Sequence, residues 1–213
     1  PKETDIWIQA ASAGECTLVQ TLVQSWPEEV PVSLLATTNT SQGMHVLEKT
    51  KPTSHMLFTK AYAPLDTGIS VRKTLKHFHP RLLVILETEL WPNLLLSCAQ
   101  ARIPVLLLNA RMTAKSLSWY TRVQNLWQHI RPRRILAVDH DNAVRYSYMF
   151  GSQTVDTMRN IKFDRWARIQ EPLPYVQNPL SGLMKAQSRL VVYGSIRREE
   201  EPDLLTVASR IAG

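Results

Sequence analysis

Short apolar runs of strand length recur along the chain, separated by longer stretches whose apolar residues fall three and four apart. The runs are Ile6 to Gln9, Val32 to Ala36, Met56 to Phe58, Leu82 to Leu86, Val105 to Leu108, Ile135 to Val138 and Leu190 to Tyr193. They are mostly continuous rather than alternating, which is the pattern of strands covered by helices on both faces. Between them, Leu18, Val19, Leu22 and Val23 form one helical stripe that Pro27 stops, and a second helix begins near Ser41. Further helices are predicted over Thr67 to His77, Pro92 to Ala101, Ala114 to His129 and Asp141 to Met149, each bounded by proline, glycine or a polar capping residue. The alternation predicts an α/β fold with a doubly wound parallel sheet.

The pattern weakens after Arg168, where Pro172, Pro174 and Pro179 accumulate, and then restarts. Leu190 to Tyr193, Gly194-Ser195 and Glu199 to Glu201 repeat the strand, small-residue turn and acidic helix start of Ile6 to Glu15. The chain therefore divides into a Rossmann-like domain over residues 1–168, a linker over 169–188 and the opening of a second Rossmann-like domain over 189–213. It begins at Pro1 without a methionine and stops at Gly213 inside a helical pattern, so it reads as a fragment.

Composition narrows the partners. Lys plus Arg number 25 against 18 Asp plus Glu, a formal charge of +7, with the excess gathered in Arg131, Arg133, Arg134, Arg145, Arg159, Lys162, Arg165 and Arg168. Such an excess points to anionic partners: a phosphorylated substrate or an anionic membrane surface. Nucleic acid is set aside, because no binding module or interleaved exposed aromatics accompany the charge. No apolar run approaches bilayer length and no signal peptide is visible. Cys16 and Cys98 have neither disulfide-framework nor metal spacing and read as buried small hydrophobes. His77 and His79 lack a third ligand at useful spacing, so no metal site is expected.

In an open parallel sheet, ligands bind at the carboxyl edge, and four strand ends there carry candidate chemistry. Ala11-Ser12-Ala13-Gly14-Glu15 follows the first strand. Its small residues suggest a tight turn, and Glu15 either acts as a general base or sits at the helix start because the dipole favours its charged form. Leu86-Glu87-Thr88-Glu89-Leu90-Trp91-Pro92-Asn93 ends a buried strand and opens a helix. If the backbone stays extended there, Glu87 and Glu89 project to one side and bind sugar hydroxyls, or pair with Arg111 in the neighbouring loop. Arg111 in turn grips an anionic ligand or only orients those acids. Thr37-Thr38-Asn39-Thr40-Ser41 suits sugars or phosphates and is equally a helix cap. Lys162, in Asn160-Ile161-Lys162-Phe163-Asp164, reaches an interdomain cleft or is an ordinary surface lysine.

Taken together, Ala11 to Glu15, Thr37 to Thr40, Pro64-Leu65-Asp66, Glu87 to Asn93, Asn109-Ala110-Arg111 and Asn160 to Asp164 resemble the 3-deoxy-D-manno-octulosonic acid (Kdo) transferases of lipid A assembly. The resemblance implies a GT-B glycosyltransferase whose N-terminal domain takes the acceptor and whose C-terminal domain holds most of the donor. It implies inverting transfer of Kdo from CMP-Kdo to lipid IVA without metal or other cofactor, at the cytoplasmic face of the inner membrane. On it, Glu15 is the general base, one of Glu87 and Glu89 stabilises the oxocarbenium-like transition state, and Lys162 balances charge at the donor. Ser12, Gly14, Thr38, Asn39, Thr40, Arg111, Asn160 and Ser195 become substrate-binding candidates. Gln9, Val138-Asp139-His140 and Gly194 to Arg198 depart from the family pattern. Two alternatives remain: another GT-B transferase using a different nucleotide sugar, and a non-catalytic anionic-lipid binding module on the same fold.

Overall fold

The computed structural model describes residues 3–88, 90–164 and 198–212. The chain divides into two compact units, Pro1–Ile169 and Gln170–Gly213. In the first, seven strands form one parallel sheet: β1 (Thr4–Gln9), β2 (Val32–Thr38), β3 (Met56–Tyr62), β4 (Pro80–Leu86), β5 (Val105–Ala110), β6 (Arg134–Ala137) and β7 (Val155–Thr157). Their order is β3-β2-β1-β4-β5-β6-β7, so the direction of strand addition reverses between β1 and β4. That reversal opens the crevice where Rossmann-like sheets take their ligands.

Among the described residues of this unit, seven helices are α1 (Ala13–Gln24), α2 (Ser41–Glu48), α3 (Gly68–Phe78), α4 (Pro92–Gln100), α5 (Ala114–Tyr120), α6 (Gln124–His129) and α7 (His140–Phe150). Successive residues of β4 show why the apolar runs are continuous. Leu83 and Ile85 join one buried cluster with Trp7, Leu35, Leu95 and Leu107. Val84 and Leu86 join the cluster on the other face with Ile8, Leu18, Leu34 and Ile161. Each such side chain contributes roughly 1.5–3 kcal/mol on burial, so both faces must be covered. In the second unit, α8 (Glu201–Ala212) carries Glu201 and Asp203 in its first turn, where the helix dipole favours acids. The proline-rich stretch and the apolar run Leu190 to Tyr193 lie outside the described residues. Among the described residues, no helix is long and apolar enough to cross a membrane.

Three expectations need correction. The helix expected over Ala114 to His129 is two, joined by a short 3-10 turn at Thr121–Val123. There Trp127 Nε1 donates to the Tyr120 carbonyl at 3.0 Å and the two rings meet edge to face, folding α6 back on α5. Strand β7, Val-Asp-Thr, was not expected. It is a short edge strand with an exposed Asp156 and has no apolar run to betray it. Strand β3 runs on to Tyr62, past the end of its apolar run, because each residue from Met56 to Tyr62 pairs with β2.

Candidate functional site

The loop after β1 is organised by its own residues. Ser12 caps α1, accepting from the Glu15 amide at 3.3 Å, while its hydroxyl donates to Glu15 Oε1 at 3.0 Å. Glu15 Oε2 also accepts from the Ala11 amide at 2.6 Å. This is a reciprocal helix cap built from Ser-x-x-Glu, and it holds Glu15 at 6% exposure with its carboxylate turned back toward the loop. Gly14 does not provide a turn. It lies inside α1, and an added Cβ would meet nothing nearer than Ser12 Oγ at 3.8 Å. The glycine under steric demand is Gly43 on α2, where a Cβ would overlap Thr38 Oγ1 and approach Cys16 Sγ to 3.0 Å.

The hydroxyl-rich loop after β2 divides its labour. Thr40 caps α2 through the Gly43 amide, 3.0 Å away, and Thr38 is fully buried beside Gly43. Asn39 is exposed and accepts from Gln9 Nε2 at 2.8 Å, so of the three it is the side chain presented at the rim. Gln9, in turn, takes the Thr37 hydroxyl, which itself receives Trp7 Nε1 at 2.7 Å.

The loop after β4 is built differently. The strand ends at Leu86, and Glu87 takes a left-handed conformation with φ 60°. The backbone is therefore not extended there, and the expected same-side projection of Glu87 and Glu89 does not follow from strand geometry. Glu89 lies outside the described residues. Nor does Glu87 pair with Arg111. Its Oε1 meets Lys162 Nζ at 2.7 Å and accepts from Asn109 Nδ2 at 3.3 Å. Arg111 instead donates its amide to the Glu87 carbonyl at 3.3 Å, and its Nε is buried without a hydrogen-bond partner.

Asn109 is the hub that the sequence reading left without a role. It is the penultimate residue of β5, fully buried and in the left-handed region at φ 57°, a conformation that asparagine tolerates better than most residues. Its Oδ1 accepts from the Ile161 amide at 3.0 Å while its Nδ2 reaches Glu87, tying the turn that carries Lys162 to the end of β4. Asn160 Oδ1 takes the Lys162 amide at 3.1 Å, closing the short 3-10 helix Ile161–Phe163. Helix α1 packs against that turn, and Ile161 is buried in the same cluster as Cys16 and Leu18. Glu15, Glu87, Asn109 and Lys162 thus stand on adjoining segments of one rim. Ser195 lies outside the described residues.

Two more residues brace the rim. Tyr146 is fully buried, its hydroxyl donating to the Arg111 carbonyl at 2.9 Å, and burial pushes its ionisation upward. Asp66 caps α4 from a distance. Trp91 at the helix start offers no side-chain cap, and Asp66 accepts from the Asn93 amide at 3.2 Å and the Leu94 amide at 2.8 Å. Asp139 caps α7 through Asn142, whose backbone and side-chain amides hold its carboxyl below the usual range. The two cysteines are buried thiols, as expected. Burial pushes Cys98 up to about 12 and raises Cys16 as well.

The sequence profile described as 3-Deoxy-D-manno-octulosonic-acid transferase (kdotransferase) matches residues 1–165. The chain belongs to this family. It is 32% identical over 170 residues to the 3-deoxy-D-manno-octulosonic acid transferase of Haemophilus influenzae, a match covering 77% of this chain and 39% of that protein. It is 28% identical over 211 residues to the enzyme of the same name from Rickettsia felis, covering 97% of this chain and 43% of the relative. The chain thus spans less than half the length of these relatives. Among solved structures, a UDP-GlcNAc 2-epimerase from Neisseria meningitidis bound to UDP-GlcNAc superimposes with TM-score 0.53 at 14% identity, over 75% of this chain and 48% of that one. The S. aureus MnaA-UDP co-structure does so with TM-score 0.56 at 13% identity, over 79% and 47%. At that identity the likeness is one of fold, and the fold is the Rossmann-like α/β type of GT-B proteins.

Proposed function

We propose that this chain supplies the acceptor half of an inverting transferase that moves Kdo from CMP-Kdo to lipid IVA. The observation that supports this best is the cluster of Glu87, Asn109 and Lys162 beside the strand-order reversal of a family member, with Glu15 on the adjoining loop. Departure of a nucleotide monophosphate leaves negative charge on the phosphate and positive charge on the sugar, so an ammonium and a carboxylate serve opposite ends of the breaking bond. Lys162, steadied by Glu87, faces the phosphate. Glu87, relieved of part of that pairing as the phosphate arrives, faces the sugar. Glu15 takes the proton of the attacking hydroxyl, and Ser12 and the Ala11 amide fix the direction its carboxylate faces. No metal or other cofactor enters this scheme.

The same reading places the protein at the cytoplasmic face of the inner membrane, against anionic lipid. Trp119, Val123 and Leu126 are 60%, 49% and 39% exposed along α5, the 3-10 turn and α6, and Arg122 stacks 4.3 Å from the Trp119 ring centroid. An amphipathic face of aromatic, aliphatic and basic residues suits a headgroup boundary.

The deciding experiment is Kdo transfer to lipid IVA by the full-length protein beside its Glu15→Gln variant. A fall of about 10²–10⁴-fold in turnover is expected for loss of a general base. Unchanged turnover removes that role from Glu15. Binding to anionic liposomes with no transfer by the full-length protein favours the non-catalytic lipid module instead. Protection by UDP-sugars but not CMP-Kdo favours a transferase with another donor.

A further inference from the structure

The opposite edge of the sheet carries a second basic feature. Under the amino ends of β5 and β6 lies a cavity of about 350 Å³, with an apolar floor that includes Leu95, Val105 and Ile130 and a mouth set with Arg102, Arg131 and Arg133. Its volume falls within the range of small-ligand sites, roughly 300–1,000 Å³. Val105, which lines it, stands four residues before Asn109 along β5, a span of about 13 Å, so it is no part of the rim described above.

The three arginines reach this mouth for distinct reasons. Arg131 and Arg133 flank the buried Pro132 and sit two apart in chain that feeds β6, with the Arg133 amide donating to the Val105 carbonyl at 2.8 Å. Both side chains line the cavity. Arg102 follows α4 in a closing motif: its amide donates to the Ala99 carbonyl at 3.1 Å and the Ile103 amide to the Cys98 carbonyl at 2.9 Å. That motif calls for a left-handed residue, usually glycine, and Arg102 adopts φ 57° at a cost of about 1 kcal/mol. The helix C-terminus recovers part of that cost by attracting the guanidinium. None of the three is in an ion pair among the described residues, whereas the adjacent Arg134 is held by Asp156 at 3.2 Å.

We propose that this cavity binds a phosphate-bearing anion, with the three guanidiniums forking onto its oxygens and the apolar floor seating the body that carries them. Planar guanidinium pairs phosphate oxygens two at a time, and three converging on one mouth match a diphosphate or a lipid phosphate better than a lone carboxylate.

The test uses the whole chain at about 0.15 M salt, where only pairs that exclude solvent retain much strength. Inorganic pyrophosphate, and separately vesicles of phosphatidylcholine with and without phosphatidylglycerol, are titrated against the protein. Replacing Arg102, Arg131 and Arg133 together with alanine is expected to weaken the anion that binds at least tenfold. The charge-matched replacement of Lys49, Lys51 and Lys73 with alanine, and Lys162→Ala, are expected to change it less than twofold. Binding of pyrophosphate assigns a soluble phosphate ligand; binding only of the phosphatidylglycerol vesicles assigns a lipid headgroup. Arg102→Gly supplies a variant that relaxes the backbone, so it is expected to raise the thermal midpoint while weakening binding about threefold. Equal loss in both triple variants, no loss in the arginine triple, or unchanged affinity in Arg102→Gly overturns the site. Because Lys162→Ala is silent here and damaging to transfer, failure of this site and failure of the proposed activity remain distinct results.

Discussion

The loops after β1 and β4 flank the same crevice, yet they are held in opposite ways. The β1 loop has its side-chain bonds of Ser12 and Glu15 close at hand, where the two cap one helix and each other; the Asn39 amide also donates to the Ala11 carbonyl at 3.3 Å, and no residue in the loop is left-handed. The β4 loop satisfies almost nothing locally. Glu87 is left-handed, the helix that follows lacks a cap of its own, and the segment is held by Asp66, Asn109, Tyr146 and Lys162 from four other parts of the chain. A loop that closes on itself sets the position of one side chain. A loop braced from outside couples its carboxylate to everything that braces it, and a ligand that takes over one brace changes the others.

Cutting the hub should show this coupling most strongly. Asn109→Ala removes two side-chain hydrogen bonds and leaves the buried Ile161 amide unpaired, which costs about 2–4 kcal/mol in denaturant unfolding. Asn109→Gly keeps the left-handed conformation accessible and should fall short of the alanine loss by about 1 kcal/mol. Equal losses would mean that conformation contributes nothing at β5.

The borrowed cap comes next. Asp66→Ala frees the Asn93 and Leu94 amides at the start of α4 and is expected to cost about 1–2 kcal/mol. Ser12→Ala, in the β1 loop, is expected to cost about 1 kcal/mol and to leave the β4 loop untouched. Amide exchange separates the two: Asp66→Ala should speed exchange in α4 alone, and spread of the effect to α1 would dissolve the distinction between the loops.

At Glu87 the two braces and the backbone oppose one another. Glu87→Ala loses the Lys162 pair, worth roughly 1 kcal/mol at its partial exposure, and keeps the left-handed strain. Glu87→Gly loses the same pair and relieves the strain, so it should be the more stable variant by about 1 kcal/mol. A glycine variant less stable than the alanine one would show that the turn is not strained.

This difference also decides what could be read from the chain alone. The strand runs, the sheet type and the Ser-x-x-Glu cap depend on residues close in sequence, and each left a periodic or spaced signal there. Glu15 and Glu87 were legible as candidates because strand ends carry ligand chemistry, and Lys162 through the family resemblance of the segment that holds it. Their partners were not. Nothing near Asn109 announces a bond 52 residues away to Ile161, and Asp66 reaches α4 across 27 residues of intervening chain. The pairing of Glu87 with Lys162 rather than Arg111 turns on a left-handed residue that no composition rule flags, since glutamate seldom adopts it. Strand β7 escaped for a plainer reason: three half-polar residues at a sheet edge bury too little to leave a pattern.

The smallest expected effect has the opposite sign and bears on the β1 loop itself. A small-residue run before an acid suggests that glycine is needed for a turn, and Gly14 was singled out for that. Yet Gly14 stands in the first turn of α1 at ordinary helical geometry, exposed, with room for a methyl group. Alanine there loses less backbone entropy on folding and clashes with nothing, so Gly14→Ala should stabilise by about 0.5–1 kcal/mol. Gly43→Ala is the contrast, because its Cβ would have to displace Thr38 and crowd Cys16 where α1 and α2 meet, costing about 1–3 kcal/mol. If Gly14→Ala leaves folding intact but abolishes lipid IVA transfer by the full-length protein, the bare backbone at the mouth of this loop is there for a substrate to approach.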